Sequence, residues 1–210
     1  MDELVIKTLA RDVGSLLVEH IWIVLISSAI ATALGVSLGI LSTRHTVVRR
    51  YAIAFANIAQ TIPSLAMFGF LIPIPLIGGI GKRVAILSLI LYALLPILRN
   101  TIAGIAGVDP AVRQSATAMG MTDGQLLFHV ELPLAAATIL AGIRTALTAT
   151  IGTATIAAAI GAGGLGVLIF RGLASVDTVE ILAGALPAAA LALVADGAMS
   201  MIEKRWQVAS

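Results

Sequence analysis

Cysteine is absent from the 210 residues, so a disulfide framework and a thiolate metal site are both excluded, and the redox compartment goes unread. Charge is scarce. Asp, Glu, Lys and Arg together make up 11% of the chain, where a soluble domain carries roughly a quarter. Most of the surface therefore does not face water. The net charge of +2 is too small to argue for a nucleic-acid partner. Nucleotide-binding and hydrolytic motifs are missing too. The only Gly-Lys pair, Gly81-Lys82, is followed by Arg83, and Leu76 stands where a phosphate-binding loop needs its first glycine. The chain is therefore not expected to hydrolyse ATP or to hold a cofactor of its own. Neither a two-histidine zinc motif nor a serine nucleophile elbow occurs. His20, His45 and His129 lie far apart in sequence, which argues against a catalytic or metal role. Met1 to Glu19 mixes acidic and basic residues and lacks the pattern of a cleaved signal peptide.

What the chain does have is apolar length. Hydrophobic residues reach 59% and the mean hydropathy is +1.05. A bilayer core of about 30 Å takes roughly 20 apolar helical residues to cross. Ile21 to Ser42 fits one crossing. Tyr51 to Gly81 is longer than one crossing needs, and Pro63, Pro73 and Pro75 interrupt it, which predicts a kinked helix followed by a non-helical outer segment. Val84 to Ile105, Leu134 to Ile160 and Ile181 to Ile202 supply three more. The expected architecture is an all-α membrane protein of about five transmembrane helices. Residues 1–20 form an external segment, 21–202 the transmembrane domain and 203–210 a cytoplasmic tail.

Arg44, Arg49, Arg50, Arg99, Arg113, Lys204 and Arg205 fall on one side of such a bundle. Lys7, Arg11, Lys82, Arg83 and Arg171 fall on the other, where Asp2, Glu3, Asp12 and Glu19 offset part of their charge. The first side is expected to be cytoplasmic, with the N-terminus outside and the C-terminus inside.

Residues 107–133 form the one sizeable amphipathic connection. Asp109-Pro110 reads as a helix start, an acidic cap followed by proline at the first position. Gly120 suits the helix end. Thr122 to Gln125 reads as a capping box for a second short helix, and Pro133 as its close. The expectation is a rigid cytoplasmic knob of two short helices.

Within that connection Gln114-Ser115-Ala116, Gly120 and Val130-Glu131-Leu132-Pro133 resemble the E-A-A-x3-G-x9-I-x-L-P loop of the permease subunits of binding-protein-dependent ABC importers. Gln114 and Ser115 depart from the family's Glu and Ala. The segments 57–65, 92–101 and 160–166 are similar to the branch that imports glycine betaine, choline, carnitine and related osmoprotectants. The resemblance implies a type I importer permease with a cytoplasmic coupling segment carried by Asp109, Gln114, Ser115, Ala116, Gly120, Leu132 and Pro133. It also implies a cytoplasmic ATPase dimer that binds ATP and Mg, a second permease chain, identical or sibling, and an external substrate-binding protein. The setting would be the cytoplasmic membrane of a bacterium or archaeon.

Polar residues inside the crossings are the other candidates. Asn57, Thr61 and Ser64 share one helix face if the helix continues past the kink. With Gln60, Arg99 and Asn100 they either line a solute path or hydrogen-bond between helices. Arg144 lies about 16 Å along its helix from Pro133 and needs a partner, for which Asp196 is the candidate. A guanidinium is a poor ligand for a quaternary ammonium, so substrate recognition is expected in another subunit. Gly142, Thr145, Ala149, Gly152, Thr155 and Ala159 form a small-residue ridge suited to close helix packing. Gly161 to Gly166 reads as an outer turn, with Arg171 as an interfacial anchor. A permease for another small solute such as an amino acid, a self-contained secondary transporter and an intramembrane enzyme are the alternatives. The short chain without an inverted repeat argues against the second.

Overall fold

The computed structural model describes residues 3–75 and 78–207. Among them all regular structure is helical, in the order α1 (Glu3–Arg44), α2 (Thr46–Thr61), α3 (Ser64–Leu71), α4 (Lys82–Ala106), α5 (Pro110–Ala118), α6 (Asp123–Leu126), a π turn (Leu127–Glu131), α7 (Leu132–Ile156), a 3-10 turn (Ala157–Ile160), α8 (Gly166–Ser175) and α9 (Thr178–Gln207). Four helical runs are long and apolar enough to cross a membrane, and the bent pair α2–α3 makes a fifth if taken as one span. The last three residues of the expected cytoplasmic tail lie outside the described residues.

Three boundaries differ from the sequence reading. Helix α1 starts at Glu3 and has 42 residues. At about 1.5 Å per residue it is roughly twice as long as the hydrocarbon core requires, so the crossing and the segment before it are one rod. The second span does not kink but breaks, with α2 and α3 meeting at 107°. Ile62 and Pro63 are extended there. Pro63 cannot donate to the preceding turn and disfavours helix at Ile62. Asn57, Thr61 and Ser64 therefore do not share a face. Finally, residues 166–175 are a helix, α8, and not the continuation of a turn.

Helix α4 is the hub, packed on α1, α2 and α7. Lipid is as apolar as a leucine side chain, so helices associate here through close fit and not through exclusion of water. The fit is visible at glycines. A Cβ on Gly35 would stand 2.7 Å from Ile97, and one on Gly39 would stand 2.5 Å from Thr101. These contacts run in the same sense along both helices, so α1 and α4 are parallel. Gly142 sits against Asn100 and Pro96, and Gly104 against Ala135, which makes α7 antiparallel to α4. Gly142 thus leaves the predicted ridge and is buried, whereas Thr145, Ala149, Gly152 and Ala159 stay exposed. The apolar interior is divided among four clusters strung along α4, around Leu89, Ile97, Leu98 and Ile105.

At the end of the bundle holding the start of α4, Glu19 of α1 pairs with Lys82 at 2.5 Å and accepts the Gly164 N–H at 3.0 Å. Gly163 (φ +86°) has no room for a Cβ beside that carboxylate. His20 is fully buried, and its Nε2 meets the Ile151 carbonyl at 3.1 Å. A carbonyl only accepts, so Nε2 carries the proton and ties α1 to α7. Arg171 pairs with Glu180 at 2.5 Å and Asp12 at 3.5 Å, joining α8 to α9 and α1.

Candidate functional site

The connection between α4 and α7 is built from local hydrogen bonds. Asp109 accepts the Ala111 N–H at 2.8 Å and Pro110 opens α5, so two of the helix's free donors are dealt with by two residues. At the other end the Gly120 N–H reaches the Thr117 carbonyl at 2.9 Å and the Met121 N–H reaches Ala116 at 3.2 Å. This pattern closes a helix through a left-handed residue, and Gly120 has φ +86°. Thr122 and Gln125 form a reciprocal capping box at 2.9 and 3.4 Å.

Beyond that box there is no second free-standing helix. Residues 123–160 form one helical run, and Pro133 does not end it. The π turn widens the backbone ahead of Pro133, with the Leu132 N–H bonding to Leu127, five residues back. The wider turn relieves the clash a proline ring makes with the carbonyl four residues earlier. The knob is therefore one separate helix, α5, seated beside the projecting base of α7.

Gln114 and Ser115 are exposed on α5, but Ala116 is 2% exposed and faces its own chain. Of the predicted coupling residues, Ala116 is thus packing material. The exposed apolar groups at this tip are Val112, Met119 and Phe128, the last two 74% and 67% accessible. The sequence reading passed over them. Leu132 is half-buried and Pro133 exposed on the first turn of α7.

Glu131 occupies a spacer position of the motif, yet it is 1% exposed. Its carboxylate receives Arg44, the last residue of α1, through a short Nη2 contact and Nη1 at 3.5 Å. The Nε of Arg113 in α5 lies at 3.2 Å as an ion-pair contact without a hydrogen bond, and Nη2 of Arg113 donates to the Ile105 carbonyl at the end of α4. An acid in the apolar stretch Leu126–Leu134, with two arginines on its side of the bundle, was the available signal.

The polar candidates divide among three interfaces. Between α2 and α4, Arg99 donates to Asn57 at 2.8 Å and Gln60 donates to the Tyr92 carbonyl at 2.8 Å. Thr61 bonds within α2, to Ile58. Between α4 and α7, Asn100 donates to the Pro96 carbonyl at 2.8 Å while packing on Gly142. Between α7 and α9, Arg144 grips Asp196 with both arms at 2.6 and 2.7 Å and reaches Glu203 at 3.3 Å. That group opens on a hollow of about 550 Å³ lined by Ala141, Thr145, Thr148 and Ala149. No cluster of metal-ligating side chains occurs among the described residues.

Residues 31–208 match the family model described as the binding-protein-dependent transport system inner membrane component. The chain is 45% identical over 196 residues to a carnitine transport permease protein of Listeria monocytogenes, covering 91% of this chain and 86% of that one. It is 42% identical over 189 residues to an osmoprotectant import permease protein of Salmonella typhimurium, covering 89% and 88%. Over 204 residues it is 42% identical to a choline transport system permease protein of Bacillus subtilis, covering 96% and 93%. Its fold is similar to the inward-facing MetNI methionine ABC transporter, with TM-score 0.83 at 22% identity over 98% of this chain and 99% of that one. With a match across most of its length and a fold to agree, the chain belongs to the inner membrane components of binding-protein-dependent transport systems, as a membrane-spanning permease subunit of an ABC importer.

Proposed function

We propose that the chain forms half of a solute path for quaternary-ammonium osmoprotectants such as glycine betaine, choline or carnitine. Support comes from the names of relatives at 42–47% identity. An ATPase dimer in the cytoplasm binds ATP and Mg and engages α5. A second permease chain completes the path, and an external binding protein delivers the solute. The N-terminus lies outside and the C-terminus inside, by the arginine asymmetry.

The observation that carries the energy-coupling role is the capped, outward-facing α5. A helix held by local bonds at both ends moves as a unit when pushed, whereas a loop would absorb the push. Gln114 and Ser115 of α5, Met119 just after it and Phe128 of the π turn supply the contact surface, and Leu132 and Pro133 its base. Asp109 and Gly120 keep it rigid.

The Arg144–Asp196–Glu203 group belongs to the solute path or to the seam with the second permease chain. Both Arg144 and Asp196 are about a third exposed, and charge facing lipid is strongly disfavoured. Both carboxylates at that wall are engaged by Arg144, so we assign selectivity to the binding protein.

The test is reconstitution in liposomes with a cognate ATPase and binding protein. Glycine betaine uptake that requires ATP supports the reading. Uptake driven by an ion gradient in the absence of ATPase overturns it.

A further inference from the structure

We infer that Glu131 is a positioning residue that carries movement of α5 into α1, an inference that rests on the importer reading above. One buried carboxylate at the base of α7 is hydrogen-bonded by Arg44 at the end of α1 and ion-paired with Arg113 from α5, and Arg113 also donates to the Ile105 carbonyl in the last turn of α4. Four helices therefore meet at one charged centre.

The path through this centre reaches α1 directly. The backbone links on either side of α5, residues 107–109 and 119–122, are closed by local hydrogen bonds and lead to α4 and α7. The arginine–carboxylate contacts add the connection to α1. Separating a buried carboxylate from its partners leaves an uncompensated charge, which is strongly unfavourable. When α5 is displaced, Arg113, Glu131 and Arg44 move together instead of parting. Arg113 is next to Gln114 in sequence, so a push on the exposed face of α5 reaches this centre within one turn. A cavity of about 120 Å³ lined in part by Thr43, Arg44, Ile102, Arg113 and Glu131 leaves the group room to shift. Beyond Arg44, the Gly35 and Gly39 contacts lock α1 to α4.

The experiment uses the reconstituted complex, with glycine betaine as the probe. Solute moved per ATP hydrolysed is measured for wild type, Glu131→Gln, Arg44→Gln and Glu131→Asp. The inference expects both glutamine variants to lower that ratio by about tenfold, within the range typical of coupling between sites. Glu131→Asp, which keeps the charge, restores most of it. Arg44→Gln is the second route should Glu131→Gln fail to assemble, because Arg44 is more exposed than Glu131. A wild-type ratio in either glutamine variant overturns the inference. So does failure of both to assemble with the ATPase, which would make the centre a folding element only, or equal impairment in Glu131→Asp. No ATP-dependent uptake by the wild-type complex sinks the importer reading first, and the linkage with it.

Discussion

The side-chain amide of Gln60 donates to the main-chain carbonyl of Tyr92 at 2.8 Å, the carbonyl that Pro96, four residues on, leaves without its usual partner. Tyr92 returns a bond: its hydroxyl donates to the carbonyl of Ile62, freed where α2 ends. Each helix defect is thus satisfied by a side chain from beside the other, and the broken span is held against α4 at this point. In a bilayer, where water cannot serve, such freed carbonyls need an internal partner.

Gln60→Ala is expected to destabilise the purified complex by about 1 kcal/mol, an ordinary value for a hydrogen bond between membrane helices. In a Pro96→Ala background the same substitution should do less, because the introduced alanine supplies the N–H that the Tyr92 carbonyl lacks. Denaturant unfolding in detergent of the four proteins of this cycle measures the coupling. Additive effects would show that Gln60 does not serve the proline defect.

Gly120→Asp is expected to abolish uptake and co-purification with the ATPase while leaving membrane insertion intact. A left-handed backbone costs a side-chain-bearing residue roughly 1–2 kcal/mol, enough to disturb the end of α5 and not the bundle. A Cβ at Gly120 meets nothing within 4 Å, so Gly120→Ala incurs the backbone cost alone, without the new negative charge at the contact surface, and should be milder than Gly120→Asp. Normal uptake by Gly120→Asp would remove α5 from the coupling surface.

The absence of cysteine makes single-cysteine labelling clean. Met119→Cys, 74% exposed at the tip beside α5, is expected to react with a membrane-impermeant maleimide only from the inside of oriented vesicles. Ile80→Cys, 80% exposed just before α4, should react only from the outside. The reverse pattern would invert the topology.

Thr145→Cys and Ala149→Cys border the hollow beside Arg144. Both are expected to be shielded from lipid-soluble quenchers in the assembled dimer. Leu193→Cys, on an exposed apolar stretch of α9, should be quenched readily. Equal quenching at all three would place the Arg144 face in lipid.

How much of this was legible in the sequence depends on the range of the contact. The caps at Asp109, Gly120, Thr122 and Gln125 are bonds within a few residues, and they stand where the sequence reading put them. The Arg144–Asp196 pair was legible for another reason: two opposite charges in apolar helices have few other options. Glu203 is nearer a helix end, where water is an alternative partner, and nothing in the sequence singled it out. The π turn left no readable mark, since Pro133 ordinarily signals an end and only the backbone shows how its clash is avoided. Pro63 announced a distortion, but its angle depends on packing against α4. Ala116 belongs to the coupling segment that the resemblance implies; its inward direction follows from how α5 rotates onto the base of α7, a long-range matter.

The notches at Gly35 and Gly39 have a mechanical consequence. Ile97 and Thr101 of α4 sit in them as teeth in a rack, so sliding α1 along α4 by one residue would drive a full side chain into the space a glycine leaves. The two rods therefore behave as a single beam. Any change in the shape of the passage must be taken up elsewhere than between these two helices.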